Sequence, residues 1–147
     1  MRFRSRVLQP LAIAAMASCF LVACSGMDRS ESLPLEPIPI TDTKIVAGVW
    51  EGIMVRTPAD RGNDWVSMRI QEDGAYHFEA VRTIGVLSGS GRFELRDGML
   101  FAKSDKGSIS LQLQHHVGKD DRVLKAAGRS ADGMTYSASL TPKASHH

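Results

Sequence analysis

From about residue 46 to residue 141, apolar side chains recur at every second position, and that period decides the fold class. The run Ser108-Ile109-Ser110-Leu111-Gln112-Leu113-Gln114 sends three aliphatic residues to one side and four polar ones to the other. Trp65-Val66-Ser67-Met68-Arg69-Ile70-Gln71 repeats the pattern with Val66, Met68 and Ile70. Ala75-Tyr76-His77-Phe78-Glu79-Ala80 does so with Tyr76, Phe78 and Ala80, and the segment 134–140 with Tyr136, Ala138 and Leu140. Successive side chains of an extended chain point to opposite faces, so alternation of this kind marks half-buried strands. No window of about eleven residues carries a competing helical period.

Turn chemistry divides the runs. Asp73-Gly74, Asp97-Gly98 and Asp132-Gly133 each lie between two alternating segments, where a tight hairpin favours residues that tolerate positive φ. Asp105-Lys106-Gly107 and Gly118-Lys119-Asp120-Asp121 mark two further reversals. The pattern predicts about eight strands, near 46–56, 65–72, 75–83, 91–96, 99–104, 108–116, 122–130 and 134–141. The longer links are 57–64 and 84–90. Short links between antiparallel neighbours make a meander. The expected fold is therefore all-β: an antiparallel up-and-down meander of about eight strands closed into a small barrel, with an open curved sheet or a sandwich as the alternative.

The first residues follow a different logic. Arg2, Arg4 and Arg6 precede an apolar run from Val7 to Ala23, which reads as a secretory signal. Its end, Leu21-Val22-Ala23-Cys24 followed by Ser25-Gly26, resembles the lipobox of bacterial lipoproteins. In that family the chain is cut before the cysteine and the thiol is lipidated. The resemblance implies cleavage after residue 23, a lipid such as palmitate carried by Cys24, and a membrane as partner. It also implies a location on the outer membrane, facing the periplasm, because Ser25 stands where Asp would favour inner-membrane retention; the inner membrane is the alternative. Cys19 belongs to the signal, so the mature chain has no second thiol for a disulfide. Cleavage also removes three of the 18 basic residues, leaving 15 against 16 acidic ones, a net charge of −1. With no run of Lys or Arg either, nucleic-acid binding has no electrostatic support.

The domain plan is thus 1–23 signal peptide, 24–45 lipidated cysteine and extended linker, 46–141 barrel, and 142–147 disordered tail. Pro34, Pro37 and Pro39 favour an extended tether, and about 20 residues of it reach on the order of 60 Å. Leu33, Leu35, Ile38 and Ile40 are apolar for such a spacer, so packing of this half on the barrel or on a partner is the alternative.

Gly48-Val49-Trp50-Glu51-Gly52 resembles the Gly-x-Trp opening of lipocalin-like barrels. The resemblance implies that Trp50 closes one barrel end and that a late-strand arginine, here Arg129, packs on it. The domain is shorter than a true lipocalin, and no helix pattern follows the last strand.

No catalytic set emerges. His115 and His116 are strand neighbours and point to opposite faces, so they cannot chelate one ion side by side. Gly85-Val86-Leu87-Ser88-Gly89-Ser90-Gly91 lacks the following helix of a phosphate loop and reads as a flexible connection or as a mobile lip presenting Val86 and Leu87. Glu51, Glu79 and Glu94 read as outer-wall partners of Arg56, Arg69, Arg82, Arg92 and Arg96. No cofactor or metal is expected, and the chain is not expected to be an enzyme. The expected function is a binding module for a small apolar ligand or envelope component, with Trp50, Trp65, Tyr76, Phe78, Val86 and Leu87 as the binding residues. The alternative is an interaction or inhibitor lipoprotein docking on an envelope protein. A filled interior would remove the first reading, and Val66, Met68, Phe93, Leu95, Ile109, Leu111, Leu113 and Leu124 are apolar enough to fill one.

Overall fold

A computed structural model describes residues 33–58, 63–82 and 85–144. The expected signal segment 1–23, Cys24 and the first part of the expected linker lie outside the described residues. The remainder is one antiparallel sheet of ten strands with a 3₁₀ helix, Thr43–Val46, near its start. The strands are β1 Leu35–Ile38, β2 Gly48–Thr57, β3 Asp64–Ile70, β4 Ala75–Val81, β5 Val86–Arg92, β6 Glu94–Arg96, β7 Met99–Ser104, β8 Gly107–His116, β9 Val123–Ser130 and β10 Thr135–Pro142.

The hydrogen-bonded order is β5-β4-β3-β2-β10-β9-β8-β7-β6, so first and last strands of the meander, β2 and β10, lie side by side. The two ends of this order, β5 and β6, are adjacent in the chain and separated only by Phe93. They act as one bent strand, whose first part pairs with β4 and whose last part pairs with β7. The result is a nearly closed barrel. At Phe93 the chain passes from one ladder to the other; among the described residues β5 and β7 are not paired with each other.

Parity sets the interior. In register across the sheet, Trp50 faces Met68, Met68 faces Phe78, and Leu140 faces Leu124. The core comprises Trp50, Met54, Val66, Met68, Ile70, Ala80, Phe93, Leu100, Leu111, Leu113, Leu124 and Leu140, with Ile40 and Val46 from the N-terminal segment. Leu95, expected inside, is largely exposed, because β6 is an edge beyond the bend.

Three boundaries differ from the sequence reading. The linker expected through residue 45 supplies β1, which pairs with the C-terminal half of β8, and the 3₁₀ helix; Ile40 and Val46 are fully buried. Proline is compatible with β1 because β1 is an edge, where a main-chain donor can be spared. Two residues expected in the tail belong to the wall: Pro142 pairs with Trp50, and the Lys143 amide donates to the Val49 carbonyl at 2.8 Å. The connection expected at 84–90 is mostly β5. Its glycines make room for aromatic rings across the ladder: a Cβ on Gly89 would stand 2.5 Å from Phe78 Cε1, and one on Gly91 3.0 Å from Tyr76 Cε1. Rings from the neighbouring strand thus cover backbone that glycine leaves bare.

Candidate functional site: a cavity at one end of the barrel

One end of the barrel is solid. The 3₁₀ helix lies across it, capped by Asp42, whose carboxylate accepts from the Lys44 amide at 2.9 Å. The Trp50 indole Nε1 donates to the Val46 carbonyl at 2.8 Å, and the Arg122 guanidinium donates to the Ile45 carbonyl at 3.0 Å. Trp50 thus lies at the barrel end that the helix covers. Arg129 does not pack on it: Arg129 sits opposite Ser108 and Thr135, at the other end of β9. Arg122, just before β9, is the late basic residue that reaches this floor.

The other end is hollow, and side-chain volume explains why. Moving from floor to mouth, inward positions read Leu100, Ala102, Ser104 on β7 and Leu113, Leu111, Ile109, Gly107 on β8. They read Leu124, Ala126, Gly128, Ser130 on β9 and Leu140, Ala138, Tyr136 on β10. Each of these strands begins with leucine, and three taper to small residues. The space left is a cavity of about 440 Å³, bounded by Met54, Val66, Met68, Phe78, Leu87 and Ile109 on its apolar side. Tyr76 and Tyr136 also line it. Burial pushes the Tyr76 phenol above its ordinary pKa, so it is a neutral hydroxyl near pH 7. Its ring stacks on Phe93 at 4.2 Å between centroids.

Beside the cavity lies a charge cluster that the sequence reading put on the outside. Arg56 and Arg82 share the inward parity of Met54 and Ala80, and Asp64 that of Val66. Asp64 Oδ2 lies 3.6 Å from Arg56 Nε and 3.7 Å from Arg82 Nε, with Asp64 only 3% exposed. A buried carboxylate between two guanidinium groups holds β2, β3 and the end of β4 together at the mouth. Counting alternate positions from Trp50 through Met54 would have placed Arg56 inside.

The residues singled out from sequence fall into two groups. Trp50 is in the floor, and Tyr76, Phe78 and Leu87 line the cavity. Trp65 and Val86 are on the outer wall. Trp65 is 48% exposed, opposite Ile53 and Val81, and Val81 is opposite Val86. Those four exposed residues form an apolar row across β2 to β5. His116 Nδ1 lies 2.7 Å from Asp121 Oδ2, while His115 Nε2 is 3.7 Å from Glu36. Among the described residues no three His, Cys, Asp or Glu side chains converge on a point that would hold a metal.

No protein-family model matches the chain, and no curated protein matches it. Among solved structures it is similar to a redesigned β-barrel, at 14% identity and a TM-score of 0.49, over 71% of this chain and 97% of that one.

Proposed function

We propose that the chain is a membrane-anchored periplasmic lipoprotein whose lipocalin-like barrel is a binding module for a small apolar ligand or an envelope component. The cavity is the observation that carries the binding half. Its volume of about 440 Å³ lies within the roughly 300–1,000 Å³ of ligand pockets, and its wall is mainly apolar with a few hydroxyls. The anchoring half rests on the lipobox ending at Cys24. Two or three acyl chains give stable attachment where one does not, and Ser25 favours the outer membrane.

A Cys24→Ser chain leaves every described residue unchanged and serves as the unlipidated reagent. N-phenylnaphthylamine, a neutral apolar fluorophore, should bind it saturably with one site. Ala126→Leu fills the cavity wall and should abolish that binding while keeping or slightly raising the unfolding midpoint, a gain of at most about 1 kcal/mol. Equal binding by both proteins would remove the module reading. In cells, labelled palmitate should enter the parent chain and not the Cys24→Ser chain. A second reading, docking on an envelope protein, is favoured by the exposed apolar row of Ile53, Trp65, Val81 and Val86.

A further inference from the structure

The rim of the cavity is unlike a barrel wall. A strand that borders a space with one face contributes alternate residues. Yet Leu87, Ser88, Gly89 and Ser90, four in succession, all line it. Paired strands also line the rim with consecutive residues, as β4 does with Tyr76, His77 and Phe78, so the register decides which main-chain groups of β5 face the space.

Register identifies the main-chain groups on that edge. The Arg82 amide donates to the Gly85 carbonyl at 3.1 Å, and the Phe93 amide donates to the Gly74 carbonyl at 2.9 Å. Both pairs continue the β4–β5 ladder, in which Val81 faces Val86 and Ala75 faces Arg92. Bonded and non-bonded pairs alternate along an antiparallel ladder. Leu87, Gly89 and Gly91 therefore bond to β4, and Val86, Ser88 and Ser90 turn their amides and carbonyls the other way. Among the described residues no strand pairs with β5 on that side. Across the gap, β7 pairs with β6 only as far as Phe101, so the next residue of that parity, Lys103, also faces the opening.

Natural edge strands are commonly blunted by proline, an inward charge or a bulge. The run Val86-Leu87-Ser88-Gly89-Ser90-Gly91 contains neither proline nor charge. Arg92, at its end, is engaged by Asp73 at 2.8 Å. The opening also has a charge preference. Among the described residues its ionisable lining besides the tyrosines is Lys106, Arg129 and His77, with no Asp or Glu.

We propose that this slot is a strand-addition site for an extended polypeptide segment with apolar residues at alternate positions and an acidic residue at the Lys106 end. The main chain of the segment pairs with Val86, Ser88 and Ser90. Its alternate side chains enter the cavity beside Phe78, Leu87 and Ile109. Backbone pairing supplies affinity and the cavity supplies selectivity. This rests on the binding-module reading and names the class of envelope component the module takes.

The test uses the full chain carrying Cys24→Ser, with N-phenylnaphthylamine in the cavity. The probe is the capped peptide Glu-Val-Thr-Val-Thr-Val, with two analogues N-methylated along one edge or the other. The unmodified peptide should displace the fluorophore. At least one analogue should lose about tenfold or more in affinity, the scale of a few lost main-chain hydrogen bonds. Ser88→Pro deletes a donor that β4 does not use, so it should weaken the peptide about tenfold relative to that variant's own affinity for the fluorophore. The methylated peptides probe the same pairing without altering the protein, should that variant fold poorly. Fluorophore binding without displacement by peptide, equal affinity of all three peptides, or displacement by laurate alone overturns strand addition and leaves the module standing. Absence of fluorophore binding removes both.

Discussion

The two ends of this barrel are made by the same strands and obey opposite rules. At the floor, Leu100, Leu111, Leu113, Leu124 and Leu140 interdigitate with no exposed surface, under a helix tied down by Trp50 and Arg122. At the mouth, the same strands carry Ala102, Gly107, Ala126, Gly128 and Ala138, and the wall stands around empty volume. Burial at the floor contributes stability. The mouth gives up burial for space and is held by the Arg56–Asp64–Arg82 cluster instead of by packing. One barrel can thus divide scaffold from site along its axis, by residue size alone.

Substitutions can break that contrast. Asp64→Ala should have the largest effect, about 3–5 kcal/mol, since it strands two guanidinium groups in a buried site; the urea midpoint reads it. A loss below about 1 kcal/mol would mean the mouth does not depend on the cluster. Next come two residues on one strand. Leu111→Ala should cost about 2–5 kcal/mol, while Ile109→Ala, one inward position nearer the mouth, should cost about 1–2 because its surroundings are already open. Equal losses would erase the distinction between solid and hollow ends.

The smallest effect concerns the rim of the floor. The His116 amide and imidazole hold the Asp121 carboxylate below its ordinary pKa of 3.8. A depressed folded-state pKa gives stability that is complete above the unfolded value, near 4, and fades as pH falls through the lower folded value. In the parent, the unfolding midpoint should therefore drop more steeply below pH 4 than in Asp121→Asn. Parallel acid profiles would remove the pair from the account.

Much of the fold was legible because parity is a strong signal. The strands near residues 65–72, 99–104, 108–116 and 134–141 appear close to their expected places, and the Asp-Gly pairs reverse the chain. Two strands were hidden by composition. Prolines disguised β1, although an edge strand tolerates them. Glycines disguised β5, although Phe78 and Tyr76 on the neighbouring strand require those positions to be bare. The cavity was hidden for a different reason. Reading Ala138 and Leu140 alike as apolar inward residues ignores their volumes, and it is the decline in volume along β7, β8 and β9, together with Ala138 on β10, that opens the space. Arg56 and Arg82 were misplaced because charge was given precedence over phase. Trp65, out of phase with Val66, Met68 and Ile70, lies on the outer wall.

The pairing of β1 with β8 has a mechanical side. Any tension on the chain before Leu33 arrives first at the Pro34 carbonyl, which accepts from the Val117 amide, and then at four residue pairs, Leu35 to Ile38 against His116 to Leu113. It pulls next on Ile40 and Val46, the plug of the floor. A strand so short gives way before the rest of the wall does, and its departure would unstopper the barrel from below. Traction at the N-terminus would thereby convert a cup into a tube.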